Sequence, residues 1–157
     1  MGRSNYFFKN NEHPISRRDF LVSGGEDGTV RLWSLLVYQG IIVHRGHLWP
    51  VWDVHFGPFG HYFCSAGMDR SLRVWTTEKE SPVRLMAGHY GDVECSRFHP
   101  NSNYIATGSV DRCVRLWDLL EGKCVRTLTG HRSSISSIAW STSGKNHFSP
   151  EGQKVKN

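Results

Sequence analysis

A chain of 157 residues with a net charge of +5, 38% hydrophobic residues and 16 glycines is long enough for one domain with a sizeable core and is rich in turns. No apolar run reaches membrane-spanning length, and Met1-Gly2-Arg3-Ser4-Asn5-Tyr6 lacks the apolar centre of a secretion signal, so the chain reads as soluble and intracellular. The positive balance admits phosphate contacts, but Arg and Lys cluster only at Arg17-Arg18 and Lys154-Val155-Lys156, which favours a solvated charged surface over direct nucleic-acid binding.

Taken in chain order, residues 1–18 form a divergent segment with no repeat, and a repeat region covers 19–144. It opens with SGGEDGTVRLW at 23–33, reaches Gly46-His47, and continues through VWDVHFGPFG at 51–60 to SAGMDRSLRVW at 65–75. Gly88-His89 starts the next unit, followed by VECSRFHPNS at 93–102 and TGSVDRCVRLW at 107–117. Gly130-His131 and ISSIAWSTSG at 135–144 begin another, and a divergent tail occupies 145–157. His47, His89 and His131 recur at one constant interval, and Trp33, Trp75 and Trp117 keep the same interval. A fixed period in the range of about 20–50 residues marks an array of supersecondary units that bury their apolar faces against one another. Each piece is short, β-branched or aromatic, and bounded by Gly, Pro, Asn, Asp or Ser, so four strands joined by tight turns fit one period. Arg31, Arg73 and Arg115, each set within an apolar strand, read as solvated positions.

The polar residues that recur with this period are His47, Ser65, Asp69 and Trp75, then His89, Thr107, Asp111 and Trp117. Ser, His and Asp are the ingredients of nucleophilic hydrolysis, which needs a base beside the hydroxyl and an acid orienting that base. Repetition argues against catalysis, because a catalytic set is normally built once. A buried hydrogen-bond relay from Trp through Ser or Thr and His to Asp accounts for both copies, since buried polar groups must be paired. The reading is therefore non-enzymatic, with a structural relay and no cofactor. Cys64, Cys95, Cys113 and Cys124 form no C-x-x-C pair, and no second His stands at ligand spacing beside the periodic ones, so no metal is expected. Cys64 and Cys113 fall in expected strands and read as small buried hydrophobes.

Gly-His followed by Ser/Thr-Gly-x-x-Asp and then VRLWD at 114–118 resembles the WD40 repeat. That resemblance implies an all-β propeller fold with four strands per blade, here a fragment of about two complete and two partial blades in a ring that does not close. The wording FHPNSNYIATGSVDRCVRLWD at 98–118, with AGH at 87–89, PVWD at 50–53 and EDGTVRLWS at 26–34, is similar to the TBP-associated factors of the TAF5 family. It implies a nuclear scaffold in TFIID or in the SAGA-type histone acetyltransferase complex of its paralogue. Histone-fold TBP-associated factors and other transcription-complex subunits are the implied partners, with no small-molecule substrate and no membrane.

For a propeller, candidate partner-binding residues follow the first-strand Val or Ile or precede each turn Asp: Trp52, Glu94 and Ser136, then Met68 and Val110, with Trp49 nearby. Trp52 leads, because aromatic residues dominate interface hot spots; its competing role is packing between blades. The pattern fails one period before His47, at Asn5, and again after Gly144, as a truncated isoform or interrupted gene would make it fail. Such an open arc exposes strand edges and apolar blade faces, so poor solubility or oligomerisation is expected of the isolated chain.

Overall fold

In the computed structural model, residues 6–9 and 20–141 are described. Twelve strands form three antiparallel sheets of four, each filled in chain order. Sheet one contains β1 (Tyr6–Lys9), β2 (Phe20–Gly24), β3 (Thr29–Ser34) and β4 (Gln39–Arg45). Sheet two contains β5 (Val51–Phe56), β6 (Tyr62–Gly67), β7 (Ser71–Thr76) and β8 (Arg84–Ala87). Sheet three contains β9 (Val93–Phe98), β10 (Tyr104–Ser109), β11 (Val114–Asp118) and β12 (Cys124–Leu128). Neighbouring sheets pack face to face, β5 of sheet two meeting β2 of sheet one and β9 of sheet three. Among the described residues they form an arc and close no ring.

The burial patterns explain why these segments become strands. In β7 the side chains on both faces are covered, because sheet two lies between two neighbours, the situation in which strands become apolar throughout. β12, outermost in its sheet, is mostly exposed. Two cores result. Val22, Leu32, Val54, Phe63 and Trp75 fill the junction of sheets one and two. Cys64, Leu72, Met86, Ile105 and Trp117 fill the junction of sheets two and three. Each large side chain so buried contributes about 1.5–3 kcal/mol of transfer free energy. Close packing fixes small residues at one position: a Cβ on Gly24 would lie 2.5 Å from Val51, and one on Gly108 would lie 2.6 Å from Ile135.

Four expectations change. The sequence count of two complete units becomes three four-stranded sheets, because the repeat unit is staggered against the sheet. Gly46-His47 follows β4, the outer strand of sheet one, and precedes β5, the inner strand of sheet two. Segment 1–18, expected to hold no strand of the repeat, contributes β1, which pairs with β2 from Tyr6↔Ser23 to Lys9↔Phe20. Main-chain pairing along a free edge needs no Gly-His. Residues 135–141, expected to open a further strand, form none; no ladder partner adjoins them among the described residues. They lie along sheet three instead, Ile135 N–H donating to Ser109 O at 3.1 Å and Trp140 Nε1 donating to Arg97 O at 3.1 Å. Cys113 precedes β11 and is half-buried, whereas Cys64 and Cys95 are buried. The tail at 145–157, with 142–144 before it, lies outside the described residues.

Candidate functional site

The eight periodic residues come together as two tetrads. His47 sits in the loop before β5, Ser65 on β6, Asp69 in the turn from β6 to β7, and Trp75 on β7. Trp75 Nε1 donates to Ser65 Oγ at 2.8 Å, Ser65 meets His47 Nε2 at 2.7 Å, and His47 Nδ1 meets Asp69 Oδ2 at 2.9 Å. In sheet three the same chain runs Trp117 to Thr107 at 2.8 Å, Thr107 to His89 at 2.7 Å, and His89 to Asp111 at 2.8 Å. Chemistry fixes the proton order. Indole N–H only donates and carboxylate only accepts, so with a neutral imidazole the hydroxyl gives its proton to Nε2 and Nδ1–H goes to the Asp. Every polar atom along the line is then used.

The ionisation balance agrees with that order. Burial alone raises the Asp69 carboxyl, but bonds from His47 and Ser71 outweigh it and hold the group well below 3.8. Asp111, likewise raised by burial and lowered more strongly by His89 and the Tyr90 N–H, falls to about 2. Burial pushes the His89 imidazole below 6.5 against the pull of Asp111. The Ser65 and Thr107 hydroxyls are fully buried and each receives an indole N–H. A substrate has no route to them, so neither tetrad can present a nucleophile.

Sheet one carries a shorter version. Trp33 Nε1 donates to Ser23 Oγ at 2.9 Å, and Asp27 Oδ1 accepts the Thr29 N–H and hydroxyl, whose bonds lower its pKa below 3.8. The position one period before His47 is Asn5, outside the described residues. The Asp27 side chain is 57% exposed, against 9% for Asp69 and 7% for Asp111.

The three equivalent arginines depart from the solvated reading by degrees. Arg31 is half-exposed and 3.8 Å from Asp27. Arg73 is 15% exposed and reaches the relay carboxylate of Asp69 at 3.4 Å, while half-buried Arg115 places its guanidinium 5.9 Å from the Tyr90 ring centroid, within cation–π range. Packing beside a relay covers two of the three.

The relays pull the loops before β5 and β9 onto the turns that follow β6 and β10. Met68 N–H donates to Pro50 O and Val110 N–H to Asp92 O. These loops and turns carry three of the six expected partner-binding positions, Trp49, 58% exposed, and Met68 and Val110, both exposed; Glu94 is half-buried within β9, and Ser136 is exposed after β12. Trp52 is half-buried, its Nε1 donating to Asp92 Oδ2 of the next sheet's loop at 3.3 Å. It bridges two sheets, and Trp49 is the freer aromatic surface. Leu48 and Tyr90, one period apart, are exposed beside them; sequence reasoning passed over both because the residue type after each Gly-His changes from unit to unit.

Sequence reasoning also missed a polar clasp between sheets two and three. Asp53 Oδ2 accepts the Ser96 N–H at 2.7 Å, the Ser96 hydroxyl at 3.1 Å and Arg97 Nη1 at 2.8 Å. Burial raises the Asp53 pKa despite Arg97, so these bonds keep a desolvated carboxylate in place. A lone acid in the otherwise apolar VWDV of β5 was its signal. At the junction of sheets one and two, His44 is fully buried between Phe63 and Trp75. Lys79 and Glu80 lie near enough to oppose burial's lowering of its pKa, yet neither ring nitrogen has a hydrogen-bond partner.

Among the described residues no group of His, Cys, Asp and Glu is arranged to hold a metal ion, and no helix is long and apolar enough to cross a membrane. A scan against protein-family models matches the WD domain, G-beta repeat, at residues 7–34, 39–76, 80–118 and 122–152. The second and third matches each begin before a Gly-His and end at or just after a strand-ending Trp, in step with the stagger of unit against sheet. No curated protein matches the chain.

Proposed function

The chain belongs to the WD40 repeat family, and from that premise we propose that it is a TAF5-like scaffold of a TFIID-type general transcription factor complex, working in the nucleus and docking histone-fold subunits. WD40 repeats serve as protein–protein interaction scaffolds, and the hydroxyls of both relays are sealed from solvent. The assignment to a transcription complex rests on the Phe98–Tyr104 wording, where other WD40 repeats more often turn through Ser-Pro-Asp-Gly. This run makes its own compact turn. Asn101 Oδ1 accepts the Asn103 N–H at 3.0 Å and lies 2.6 Å from His99 Nδ1. Ser102 adopts a left-handed φ of 60°, and the His99 ring packs edge-on against Tyr104 and Trp140. His99, Asn101, Ser102 and Tyr104 thus each have a local task in this turn, which supports reading the wording as a family signature.

Capture of partners from nuclear extract on the tagged full chain tests this. Histone-fold subunits recovered with the TATA-binding protein are expected. Recovery with acetyltransferase subunits instead would assign the SAGA-type complex, and recovery of neither set would reject both and leave a WD40 adaptor of another assembly.

A further inference from the structure

On the side of the arc away from the relay loops, a cleft of about 510 Å3 opens between sheets two and three. Its walls include Tyr62 and Val74 of sheet two with Val83 just before β8, and Tyr104 of sheet three with Leu119 and Leu120 in the turn after β11. It is not a default of the repeat. At the preceding junction, Phe20 and Ile42 pack onto the core. The residues one period on are Tyr62 and Arg84, and register confirms the equivalence: Leu32 pairs with Ile42 as Val74 pairs with Arg84. Both Tyr62 and Arg84 are exposed, so the place that Ile42 fills in one junction stays open in the next.

Arg84 is held across the cleft mouth. Nη1 donates to Val83 O at 2.9 Å and Nη2 to Leu120 O at 3.1 Å, reaching from one sheet to the other. Among the described residues no carboxylate pairs with it. Asp118, the acid on the cleft wall, turns its Oδ1 to the Glu121 N–H at 2.8 Å. A guanidinium fixed by two carbonyls retains donors in a planar fork suited to carboxylate. The apolar walls suit an aliphatic or aromatic side chain, and the volume falls within the range of ligand-binding clefts.

We propose that this cleft binds an acidic peptide segment of a partner protein, an apolar side chain seated between Tyr62 and Leu120 and a neighbouring Asp or Glu carboxylate on Arg84. The proposal rests on the chain being a protein scaffold and not on which complex it serves. The test is selection of a phage-displayed random peptide library on the immobilised full chain, with selected peptides then synthesised and titrated by fluorescence polarisation. Enriched peptides should place Asp or Glu within a few residues of an apolar side chain. Arg84→Glu and Leu120→Asp, both exposed and checked for an unchanged strand signal by circular dichroism, should each weaken binding about tenfold or more. Leu36→Ala, exposed in the turn between β3 and β4 of sheet one and outside the cleft, should leave it unchanged. Absence of enrichment over bare matrix would overturn the proposal. So would binding that survives replacement of the peptide's acid by its amide, or that Leu36→Ala reduces while Arg84→Glu does not. Capture of no transcription subunits from extract would reject the preceding reading and leave this one standing.

Discussion

Sheet one and sheets two and three use the same Trp, Ser or Thr, and Asp positions to different depth. In sheets two and three the Asp is nearly buried and joined through His to a buried indole; in sheet one the Asp is mostly exposed and, among the described residues, bonds within its own turn and to a nearby Arg. Burial therefore follows from completing the relay, not from possessing the motif. An Asp left in the turn caps backbone groups, whereas one reached by His also holds the preceding loop against the sheet.

The largest test of that difference removes the indoles. Trp75→Ala empties a fully buried site and strips a donor from Ser65, with an expected cost of about 3–5 kcal/mol. Trp33→Ala, at a half-buried position, should cost distinctly less; equal shifts in urea midpoint would erase the distinction between the sheets. Next, Asp69→Ala strands the His47 Nδ1–H and the Ser71 donors, for about 1–3 kcal/mol, whereas Asp27→Ala at an exposed site should cost under about 1 kcal/mol.

Acidification should separate the same regions. Burial depresses the folded-state pKa of His44 and His89 below 6.5, so the unfolded chain binds protons first. Their contribution is complete above 6.5 and is lost as pH falls from there. Asp69 and Asp111, depressed below 3.8, hold theirs above that value and lose it on further descent. Urea midpoints measured across the acid range should therefore fall in two stages, and His89→Gln should flatten the upper one. The smallest expected effect concerns the turn position filled by Gly28, Arg70 and Arg112, with φ of 75°, 63° and 68°. Arg70→Gly or Arg112→Gly should relieve left-handed strain and raise stability by up to about 1 kcal/mol. Gly28→Arg should lower it, since a Cβ there would stand 2.7 Å from His47 O.

Much of this was legible because periodicity carries it. The strands around Trp75 and Trp117 announce themselves by β-branched runs between turn residues, and the tetrads follow from the recurring His, Ser or Thr, Asp and Trp. What escaped was aperiodic or relational. β1 is recruited by the free edge of β2, which no side-chain pattern encodes. The run at 135–141 has strand-like residues and no ladder partner, and a ladder needs two chains of backbone. The Asp53 clasp and the cleft at Arg84 depend on residues that differ from their counterparts one period away, so a search for repetition passes over them.

The stagger of unit against sheet bears on how such a chain can change length. If one full period is excised anywhere between β2 and β12, the strand before the cut meets the successor its counterpart had, and every remaining sheet keeps four strands in order. Duplication or loss of a unit is thus indifferent to where the break falls, and recombination within a strand is as tolerable as recombination in a loop. What such an event would not preserve is individuality: excising 46–87 would bring Ile42 against Tyr104, a pairing of surfaces that neither present junction contains, and the Arg84 cleft would go with the deleted strand.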